Sequence, residues 1–422
     1  MPTAVLILPT GTYRAEEYLA AARRLGVEVV TASERPQALA GQMGDRFLHL
    51  PLDDPARAGD LVVERAARLP IDAVVAVDDE GLLAAALASE RLGLRHSAPA
   101  AVRLTRDKAA MRRCFEAAGV PQPRFSVVEP GEPAGAARAA EQLGCPVVVK
   151  PCSLSGSRGV IRADSPDEAA AAAARIVPIL ESSGEPPSSP LLVEEFVAGP
   201  EVAVEAICSA GSLDVVAVFD KPDPLDGPFF EETIYVAPSR LPDAALEGVD
   251  AAVRQAVGAM GLSDGPVHAE VRISGVASSA PRPAVIEIAA RTIGGRCSKA
   301  LALEGGATLE DLVLARALGL PGPPARLAGP AGVLMIPIPS SGTLRGVHHL
   351  DEVRALPGVT GVELTVPVGR TIRALPEGDR YLGFVFAASD TPEQVEDALR
   401  RAEELLEVEV GVGPGPAATV AR

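Results

Sequence analysis

The sequence predicts an α/β protein in which a doubly wound parallel-sheet domain comes first and parts of α+β character follow. Two observations indicate the first domain. Residues 4–8 are a continuous apolar run, as in a strand buried on both faces, residues 71–77 (IDAVVAV) are another predicted strand, and segments with helical spacing lie between and after them. A third observation indicates the later parts, where apolar strands follow one another across short turns. At 422 residues the chain is long enough for two or three domains.

Composition excludes several classes of function. The formal net charge is −17, which argues against a nucleic-acid surface because phosphate binding needs clustered Lys and Arg. The chain has no Trp and only four Tyr, so few rings are present for base stacking. The five cysteines never form a CxxC pair, and neither a disulfide framework nor a zinc site is expected.

The cellular location is predicted from targeting patterns. No apolar run reaches membrane-spanning length, and Met1-Pro2 leads directly into a strand rather than into a signal sequence. We therefore expect a cytoplasmic protein with no membrane partner.

The first hundred residues alternate strands and helices. Residues 27–30 form the second predicted strand, and the strand at 71–77 is followed by three acids at 78–80 and a helix over 81–92. Ligands of such sheets bind beyond the carboxyl ends of the strands, so the three acids are candidate substrate contacts. The favoured interpretation is that they cap the next helix. No GxGxxG motif follows the first strand, so a dinucleotide site is not supported.

A phosphate-binding arrangement is predicted between residues 105 and 160. Asp107 and Lys108 lie in the first turn of a helix, and residues 145–150 form an apolar strand that ends in a lysine. A Ser/Gly loop, SLSGSRGV, follows. Its small residues let backbone N–H groups approach phosphate oxygens, and the lysine supplies positive charge. The alternative is a flexible surface loop, and the loop does not match the Walker A motif.

The next strands carry acids beside apolar neighbours. Residues 191–197 predict a strand, and residues 202–208 and 213–219 predict a hairpin. The glutamates near residues 194–201 lie where a ribose or an adenine would need hydrogen-bond partners, and edge-strand charges are the alternative. Residues 220–241 are rich in Pro, Gly and aromatic residues and predict a long loop, of the kind that forms lids over substrates.

Residues 268–299 predict a metal site. Two short strands, 268–274 and 284–289, are joined by a Ser/Pro-rich turn, and alternation places Glu270 and Glu287 on the same face. Two carboxylates that face one point suit Mg²⁺ held between protein and phosphate oxygens. The alternative is a hairpin with solvated acids.

Cations and a histidine accompany these carboxylates. Arg291 and Arg296 follow the second strand, on either side of the pair Gly294-Gly295. His268 is a candidate proton acceptor for an amine, although a packed strand histidine is the favoured interpretation.

The end of the chain predicts a small α+β domain after a Pro/Gly-rich linker at residues 321–330. The tail is expected to be disordered, and its GxGxG is not a cofactor signal. The predicted organisation is an N-terminal domain (1–100), a second domain (101–325) with a lid subdomain (about 125–200), a C-terminal domain (326–410) and a tail (411–422).

The order of these motifs resembles the ATP-grasp superfamily. Lys108, VVVKP, SGSRGV, LLVEEFVAGPE, HAEVR and VIEIAAR occur in sequence and cover most of residues 100–320. Within the superfamily the chain looks like the L-amino-acid ligases, which are dipeptide-forming carboxylate–amine ligases. That narrower resemblance depends on FFEETIYVAPSRL, on RTIGG and on the C-terminal segments LPGVTGVEL and LGFVFAASDTPEQVEDAL.

The resemblance implies a role for each matching residue. The implied ATP contacts are Lys108, Lys150, Ser155, Gly156, Ser157, Gly159, Glu194, Glu195, Phe196, Val197 and Glu201. The implied metal ligands are Glu270 and Glu287. The implied catalytic residues are Lys150, Arg291, Gly294 and Gly295, with Arg291 on the γ-phosphate and the glycine N–H groups on the reaction intermediate. The implied substrate contacts are Glu232, Tyr235, His268, Arg291, Gly294 and Arg296.

Two positions depart from the family pattern. Tyr235 stands where the family commonly has histidine, which bears on amino-acid preference. Ala289 stands where the second metal strand usually has asparagine, so one metal ion loses an amide ligand that water can replace. The implied cofactors are ATP and one or two Mg²⁺ ions, with Mn²⁺ as a substitute, and the implied assembly is a homodimer.

The function implied by the resemblance is ATP-dependent amide formation. A carboxylate is phosphorylated by ATP, and an amine, from an amino acid, attacks the acyl-phosphate with release of phosphate. One alternative is an ATP-grasp carboxylase or a purine-pathway ligase. The other is a weakened homologue that binds nucleotide without turnover, which Ala289 suggests.

Overall fold

The structure of the protein is a computed structural model that describes residues 1–36, 43–129, 132–276, 278 and 280–411. Four parallel strands form its first sheet: β1 (Thr3–Ile7), β2 (Glu28–Ser33), β3 (Phe47–His49) and β4 (Ala73–Ala76). Their spatial order is β3-β2-β1-β4. The helices described between and after these strands include α1 (Ala15–Arg24), α2 (Pro55–Ala66) and α3 (Leu82–Leu92).

Alternate residues of β1 pack on opposite faces of this sheet. Ala4 and Leu6 contact the core under α1, whereas Val5 and Ile7 contact the core under α2 and α3. Helices therefore cover both faces, and the predicted doubly wound parallel sheet is confirmed. Every residue of β1 is buried, which explains its continuous apolar sequence.

A second sheet of four antiparallel strands follows. Its strands are β5 (Phe125–Val128), β6 (Val147–Pro151), β7 (Ile161–Ala163) and β8 (Leu191–Glu195), in the order β5-β8-β6-β7. Two helices precede it, α4 (Pro99–Leu104) and α5 (Lys108–Ala118), and two alanine-rich helices cover one of its faces, α6 (Pro133–Leu143) and α7 (Pro166–Ser182).

The largest sheet has eight antiparallel strands. They are β9 (Glu201–Ser209), β10 (Ser212–Lys221), β11 (Ile234–Ala237), β12 (Gly265–Ser274), β13 (Arg282–Ala289), β14 (Ala331–Ile336), β16 (Val359–Leu364) and β18 (Gly383–Ala388). Their order is β13-β12-β9-β10-β11-β14-β18-β16. Helix α8 (Asp243–Met260) packs with α5 on one face.

The sequence predicts one long loop over residues 220–241, and this prediction is wrong. The segment contains β11, which pairs with β10 on one side and with β14 on the other. The four apolar residues IYVA are buried, but they are too few between Pro- and Gly-rich flanks to stand out as a strand. Through β11 the sheet of the ATP-grasp-like part continues into the C-terminal part.

The remaining elements complete the C-terminal part. A three-stranded sheet contains β15 (Gly342–His348), β17 (Thr371–Ile372) and β19 (Glu407–Gly411), in the order β17-β15-β19. The remaining helices are α9 (Cys297–Ala300), α10 (Leu309–Ala317), α11 (Leu350–Arg354) and α12 (Pro392–Leu405), and short 3-10 turns occur at Gly44–Arg46, Asp79–Gly81 and Glu304–Gly306.

The C-terminal tail and the apolar character of the helices were also subjects of prediction. The predicted disordered tail, 411–422, lies outside the described residues except for Gly411, which ends β19. In the part of the chain that the structure describes, none of the helices combines the length and the apolar character needed to cross a bilayer.

Candidate active site

A cavity of about 910 Å³ lies where the four parts of the fold meet. The first sheet, the four-stranded sheet of β5–β8, the eight-stranded sheet and the C-terminal part all contribute walls. All but two of the site residues predicted from the sequence line it: Lys108, Lys150, Ser155, Gly156, Ser157, Glu194, Glu195, Phe196, Val197, Glu201, Glu232, Tyr235, His268, Glu270, Glu287, Arg291, Gly294 and Gly295. Gly159 and Arg296 are not among its lining residues.

Lys108 connects the Ser/Gly loop to the predicted metal strand. Helix α5 begins at this lysine because the side chain of Asp107 accepts a hydrogen bond from Ala110 N, 3.0 Å away, and caps the helix. Lys108 Nζ donates to the carbonyl oxygen of Leu154 at 2.7 Å and to Glu287 Oε1 at 3.0 Å. The ammonium is thus held beside the loop by one carboxylate.

Lys150 is held in a similar way at the end of β6. Its Nζ lies 2.6 Å from Glu194 Oε2, and both side chains are buried. Arg112 contacts the other oxygen of Glu194 and donates to the carbonyl oxygens of Val285 (2.9 Å) and Ile286 (2.6 Å). Burial opposes the charge of Glu194, but the two cations outweigh it and lower the pKa of Glu194. Burial also lowers the pKa of Lys150, despite the attraction of Glu194.

Sequence reasoning missed Arg112. The available signal is its position four residues after Lys108, which places both cations on the same face of α5. Arg112 is fully buried there, so it bridges β8 and the predicted metal strand β13 rather than facing solvent.

The other end of the cavity contains three carboxylates around one lysine. Lys221 Nζ lies 2.6 Å from Glu201, 2.7 Å from Glu232 and 3.1 Å from Glu270. Burial opposes the lysine's charge, but these carboxylates raise the pKa of Lys221 well above its ordinary value. Sequence reasoning had included Lys221 in the predicted lid loop, whereas it is the last residue of β10.

The three glutamates had been given separate roles by the resemblance: ribose contact, substrate contact and metal ligand. Their oxygens lie within 4.8 Å of one another, so the structure brings them into one cluster. Tyr235 lies beside it, with its ring centroid 5.1 Å from Lys221 Nζ and its ring edge-on to Phe219.

Glu270 and Glu287 occupy directly opposite positions on the antiparallel strands β12 and β13. Both line the cavity, and carboxylate oxygens are the ligands that Mg²⁺ prefers, so the donor set fits this ion. Ala289, which pairs with His268 in the same ladder, is buried and brings no oxygen ligand from its side chain.

His268 is held by two carboxylates. Its Nδ1 lies 2.8 Å from Glu205 Oε1, and its Nε2 lies 3.6 Å from Glu270 Oε1. Burial alone would lower the pKa of His268, but the two carboxylates outweigh burial and raise it to about 9. An imidazole that keeps its proton at neutral pH is a poor acceptor for an amine proton, so the packed-histidine interpretation is favoured.

Arg291 is oriented from the N-terminal sheet. Its Nε lies 3.1 Å from Asp79, and Arg106 lies 3.1 Å from the other oxygen of the same carboxylate. Despite burial, these cations lower the pKa of Asp79, and Asp79 and Glu287 raise the pKa of Arg291. The sequence favours a helix-capping role for the three acids at residues 78–80. That interpretation is wrong, because neither the 3-10 turn at 79–81 nor α3 begins with a side-chain cap.

The glycine loop after Arg291 is closely packed. Gly295 has a φ of 59°, in the left-handed region that favours glycine, and a Cβ there would displace the side chain of Met335. Arg296 lies behind the loop, outside the cavity lining. It donates to the carbonyl oxygen of Tyr13 at 3.1 Å and pairs with Glu363.

The Ser/Gly loop is folded against the C-terminal part. Gly156 and Ser157 have positive φ values of 66° and 57° and face the cavity. Gly159, at φ 72°, instead donates its N–H to the carbonyl oxygen of Pro376 at 2.9 Å. Tyr381 and Phe384 of the C-terminal part also line the cavity, and sequence reasoning missed both.

Comparisons with known proteins support this arrangement along the chain. Residues 143–300 match the family model of the ATP-grasp domain, residues 19–96 that of the ATP-grasp N-terminal domain, and residues 334–411 that of the L-amino acid ligase C-terminal domain 2. The chain belongs to the ATP-grasp superfamily. The resemblance inferred from the motifs is therefore confirmed, and so is the predicted fold class of this ATP-grasp protein.

Relatives of this ATP-grasp protein include ligases from distant organisms. Alanine–anticapsin ligase of Bacillus amyloliquefaciens is 29% identical over 242 residues, which cover 52% of this chain and 50% of that protein. Carnosine synthase 1 of Homo sapiens is 30% identical over 293 residues, covering 65% of this chain and 34% of that protein. The chain spans about half the length of the alanine–anticapsin ligases that it matches.

Solved structures extend the similarity over nearly the whole chain. The L-amino acid ligase from Bacillus licheniformis matches with a TM-score of 0.78 and 25% identity, covering 97% of this chain and 99% of that one. Phosphoribosylglycinamide synthetase from Anaerococcus prevotii matches with a TM-score of 0.65 and 16% identity, covering 97% and 100%. The second similarity concerns the fold alone.

Proposed function

We propose that this chain is an ATP-dependent carboxylate–amine ligase that forms an amide bond between amino acids. The observation that carries the proposal is the content of one cavity. It combines three buried or half-buried cations, Lys108, Lys150 and Arg291, with two opposed carboxylates, Glu270 and Glu287. Phosphoryl transfer needs both sets, because catalysis depends on positioning and on neutralising the phosphate charge.

The proposed reaction has two steps. A substrate carboxylate oxygen attacks the γ-phosphorus of ATP, which gives an acyl-phosphate and ADP. An amine then attacks the acyl carbon, the C–O bond to phosphate breaks, and an amide, phosphate and a proton are released. Lys108 and Lys150 bind phosphate oxygens of ATP in exchange for their carboxylate partners, and Arg291 binds the transferred phosphoryl group.

Glu270 and Glu287 would hold one or two Mg²⁺ ions, or Mn²⁺ in their place. The bound ion supplies positive charge to the phosphate oxygens. Lys108 pairs with Glu287 and Lys221 pairs with Glu270, so each carboxylate is placed at the cavity wall beside a protein cation that a metal ion would replace.

The relatives support amino acids as the substrates. Their names include alanine–anticapsin ligase and, from Verminephrobacter eiseniae, D-alanine–D-alanine ligase, which is 28% identical over 270 residues. In this chain Glu232 would bind an amino group, and Tyr235 would contact the substrate side chain. A cytoplasmic location, a homodimer and the lack of nucleic-acid or membrane partners stay predictions from composition and resemblance.

The decisive experiment measures phosphate release from Mg-ATP across a matrix of amino acids, tested singly and in pairs. Mass spectrometry of the positive wells identifies the products. We expect release that depends on a pair, with a product lighter than its two reactants by one water. Bicarbonate-dependent ATP hydrolysis without an amino-acid requirement would instead indicate a carboxylase.

A second candidate is a nucleotide-binding protein without turnover. The observation that favours it is Ala289, which is buried beside the metal ladder and contributes no side-chain oxygen. Tight binding of ATP and Mg²⁺ without phosphate release over the whole matrix would support this second function and contradict the first.

A further inference from the structure

Tyr13 lies in the loop after β1, at the carboxyl end of a parallel strand, and its side chain lines the cavity. Ligands of doubly wound sheets bind at this edge. The ring is held on three sides. Its centroid lies 6.1 Å from that of Phe384, 5.7 Å from the guanidinium carbon of Arg14 and 5.5 Å from that of Arg296. The position of the phenol is therefore fixed by packing as well as by hydrogen bonds.

The Tyr13 hydroxyl accepts a hydrogen bond from a backbone N–H that the family resemblance assigns to the reaction intermediate. Gly295 N donates to Tyr13 Oη at 2.9 Å. A phenol oxygen that accepts this bond keeps its own proton to donate. Within the described residues the hydroxyl donates to no protein acceptor, and it is on the cavity side of the loop. Acceptance from the amide also strengthens the hydroxyl as a donor, because neighbouring hydrogen bonds polarise one another.

The loop behind Tyr13 is rigidly attached to the same N-terminal segment. Arg14 Nη1 donates to Thr292 Oγ1 at 2.9 Å and to the carbonyl oxygen of Thr292 at 3.1 Å, and Arg14 Nη2 donates to the carbonyl oxygen of Ile293 at 2.7 Å. Arg14 is buried, so these bonds are protected from water. The segment containing Tyr13 and Arg14 is consequently connected by several hydrogen bonds to the loop from Arg291 to Gly295.

We propose that Tyr13 is a further substrate-binding residue, whose hydroxyl donates a hydrogen bond to a carbonyl-type oxygen of the activated carboxylate. Gly295 N–H acts behind it, as the donor that orients the phenol, rather than on the substrate directly. This inference deepens the proposed ligase function and rests on it. It also changes the role that the family resemblance implied for Gly295.

The test is Tyr13→Phe in the full chain, which removes one oxygen and keeps the ring packing. With an amino-acid pair found in the matrix, kcat/KM for the carboxylate substrate should fall at least about tenfold, because removal of an oxyanion-type donor commonly costs more than this. The KM for ATP should change less than about twofold, since the hydroxyl makes no hydrogen bond to a residue that is predicted to bind the phosphates of ATP. An unchanged or faster Tyr13→Phe enzyme would overturn the proposal and return Gly295 N–H to direct contact with substrate.

Tyr18→Phe is the matched control, because it tests whether a tyrosine hydroxyl acts only by holding the loop from Arg291 to Gly295 in place. Tyr18 is buried in α1 and does not line the cavity, and its side chain interacts with Thr292 of the same loop. If Tyr13 acted only by holding the loop, both variants would lose activity to the same extent. We expect the loss in Tyr18→Phe to be several-fold smaller than in Tyr13→Phe, and equal losses would contradict a substrate contact.

A binding measurement separates this inference from the proposed function. Acetonylphosphonate, which has a CH2 group in place of the bridging oxygen, is a stable stand-in for an acyl-phosphate, and its affinity is measured by calorimetry in the presence of saturating MgADP. Tyr13→Phe should weaken its binding at least about threefold, as expected for a lost hydrogen bond to a charged ligand, and Tyr18→Phe should not. A wild-type protein that binds the probe in this way but is silent in the matrix would contradict the ligase function while supporting the role of Tyr13. Equal affinity in wild type and Tyr13→Phe would refute that role.

Discussion

The two ends of the cavity differ in their balance of charge. At the end that we propose binds the nucleotide, called the nucleotide end, three cations (Lys108, Lys150 and, behind the cavity wall, Arg112) face two carboxylates, Glu194 and Glu287. At the acidic end, defined as Lys221 with Glu201, Glu232 and Glu270, one cation faces three carboxylates. The first end has positive charge to offer to phosphates. The second has negative charge to offer to a metal ion or to a substrate ammonium group.

At both ends each of these charged groups has an ion-pair partner within the protein. A buried charge without a partner is costly, so each group keeps a protein partner until a ligand replaces it. We therefore expect a bound ligand to replace the protein partner of each charged group. Variants at the nucleotide end should mainly lose activity, and variants at the acidic end should mainly lose stability.

The largest expected effect is on activity at the nucleotide end. Lys150→Ala and Glu287→Ala should each abolish substrate-dependent ADP formation, by a factor of at least about 100, because each removes a charge that acts on the phosphates. The measurement is a coupled ADP assay with an amino-acid pair from the matrix. The matched control is Arg138→Ala in the lid, where the ion pair with Glu132 is exposed and the rate should stay within about twofold. Near-normal rates in Lys150→Ala or Glu287→Ala would refute the assignment of this end.

The next effect is on stability at the acidic end. Lys221→Met leaves three buried or half-buried carboxylates without their common cation and should lower the free energy of unfolding by about 3 kcal/mol. Urea unfolding at pH 7 measures it. Lys299→Met removes an exposed lysine that pairs with Glu363 and should cost less than about 1 kcal/mol. Equal losses in the two variants would show that the acidic end needs no internal cation.

The smallest effect is a difference in pH dependence between the two ends. Arg112 and Lys150 lower the pKa of Glu194 despite burial, so its stabilising contribution is present above its unfolded pKa and is lost as the pH falls. Burial raises the pKa of Glu232, and Glu270 adds to the shift although Lys221 opposes it. Its contribution is therefore present in acid and is lost as the pH rises.

Melting temperatures from pH 3 to pH 7 test this difference. Glu194→Gln should lose more stability relative to wild type at pH 7 than at pH 3, and Glu232→Gln should show the opposite trend. Parallel trends in the two variants would mean that the ends do not differ electrostatically.

Sequence patterns were sufficient to predict those parts of the fold and of the candidate site whose signature lies within a few neighbouring residues. The strand-end lysine of VVVKP, the opposed glutamates of HAEVR and VIEIAAR, and the continuous apolar strand β1 each carry a local signature. Alternation along two adjacent strands was enough to place Glu270 and Glu287 face to face.

Other parts of the site depend on contacts between distant segments. Arg14 binds the loop at 292–293 across 278 positions of sequence, and Lys221 collects glutamates from three strands or loops. No periodicity or motif marks such residues. A lone lysine before a Pro-rich stretch, or an arginine at the start of a helix, acquires its partner only when the chain is folded.

Because of its position in the sheet, strand β11 makes the C-terminal part structurally dependent on the part that precedes it. It joins β10 to β14 by hydrogen bonds on both of its edges, so the eight-stranded sheet runs without interruption from β13 to β16. A break in the chain near residue 330 would expose an unpaired strand edge in each fragment, and such edges favour aggregation. The C-terminal part is therefore not an interchangeable module. Recombining the halves of two related ligases at this point should succeed only if the donor brings a β14 that matches the recipient's β11.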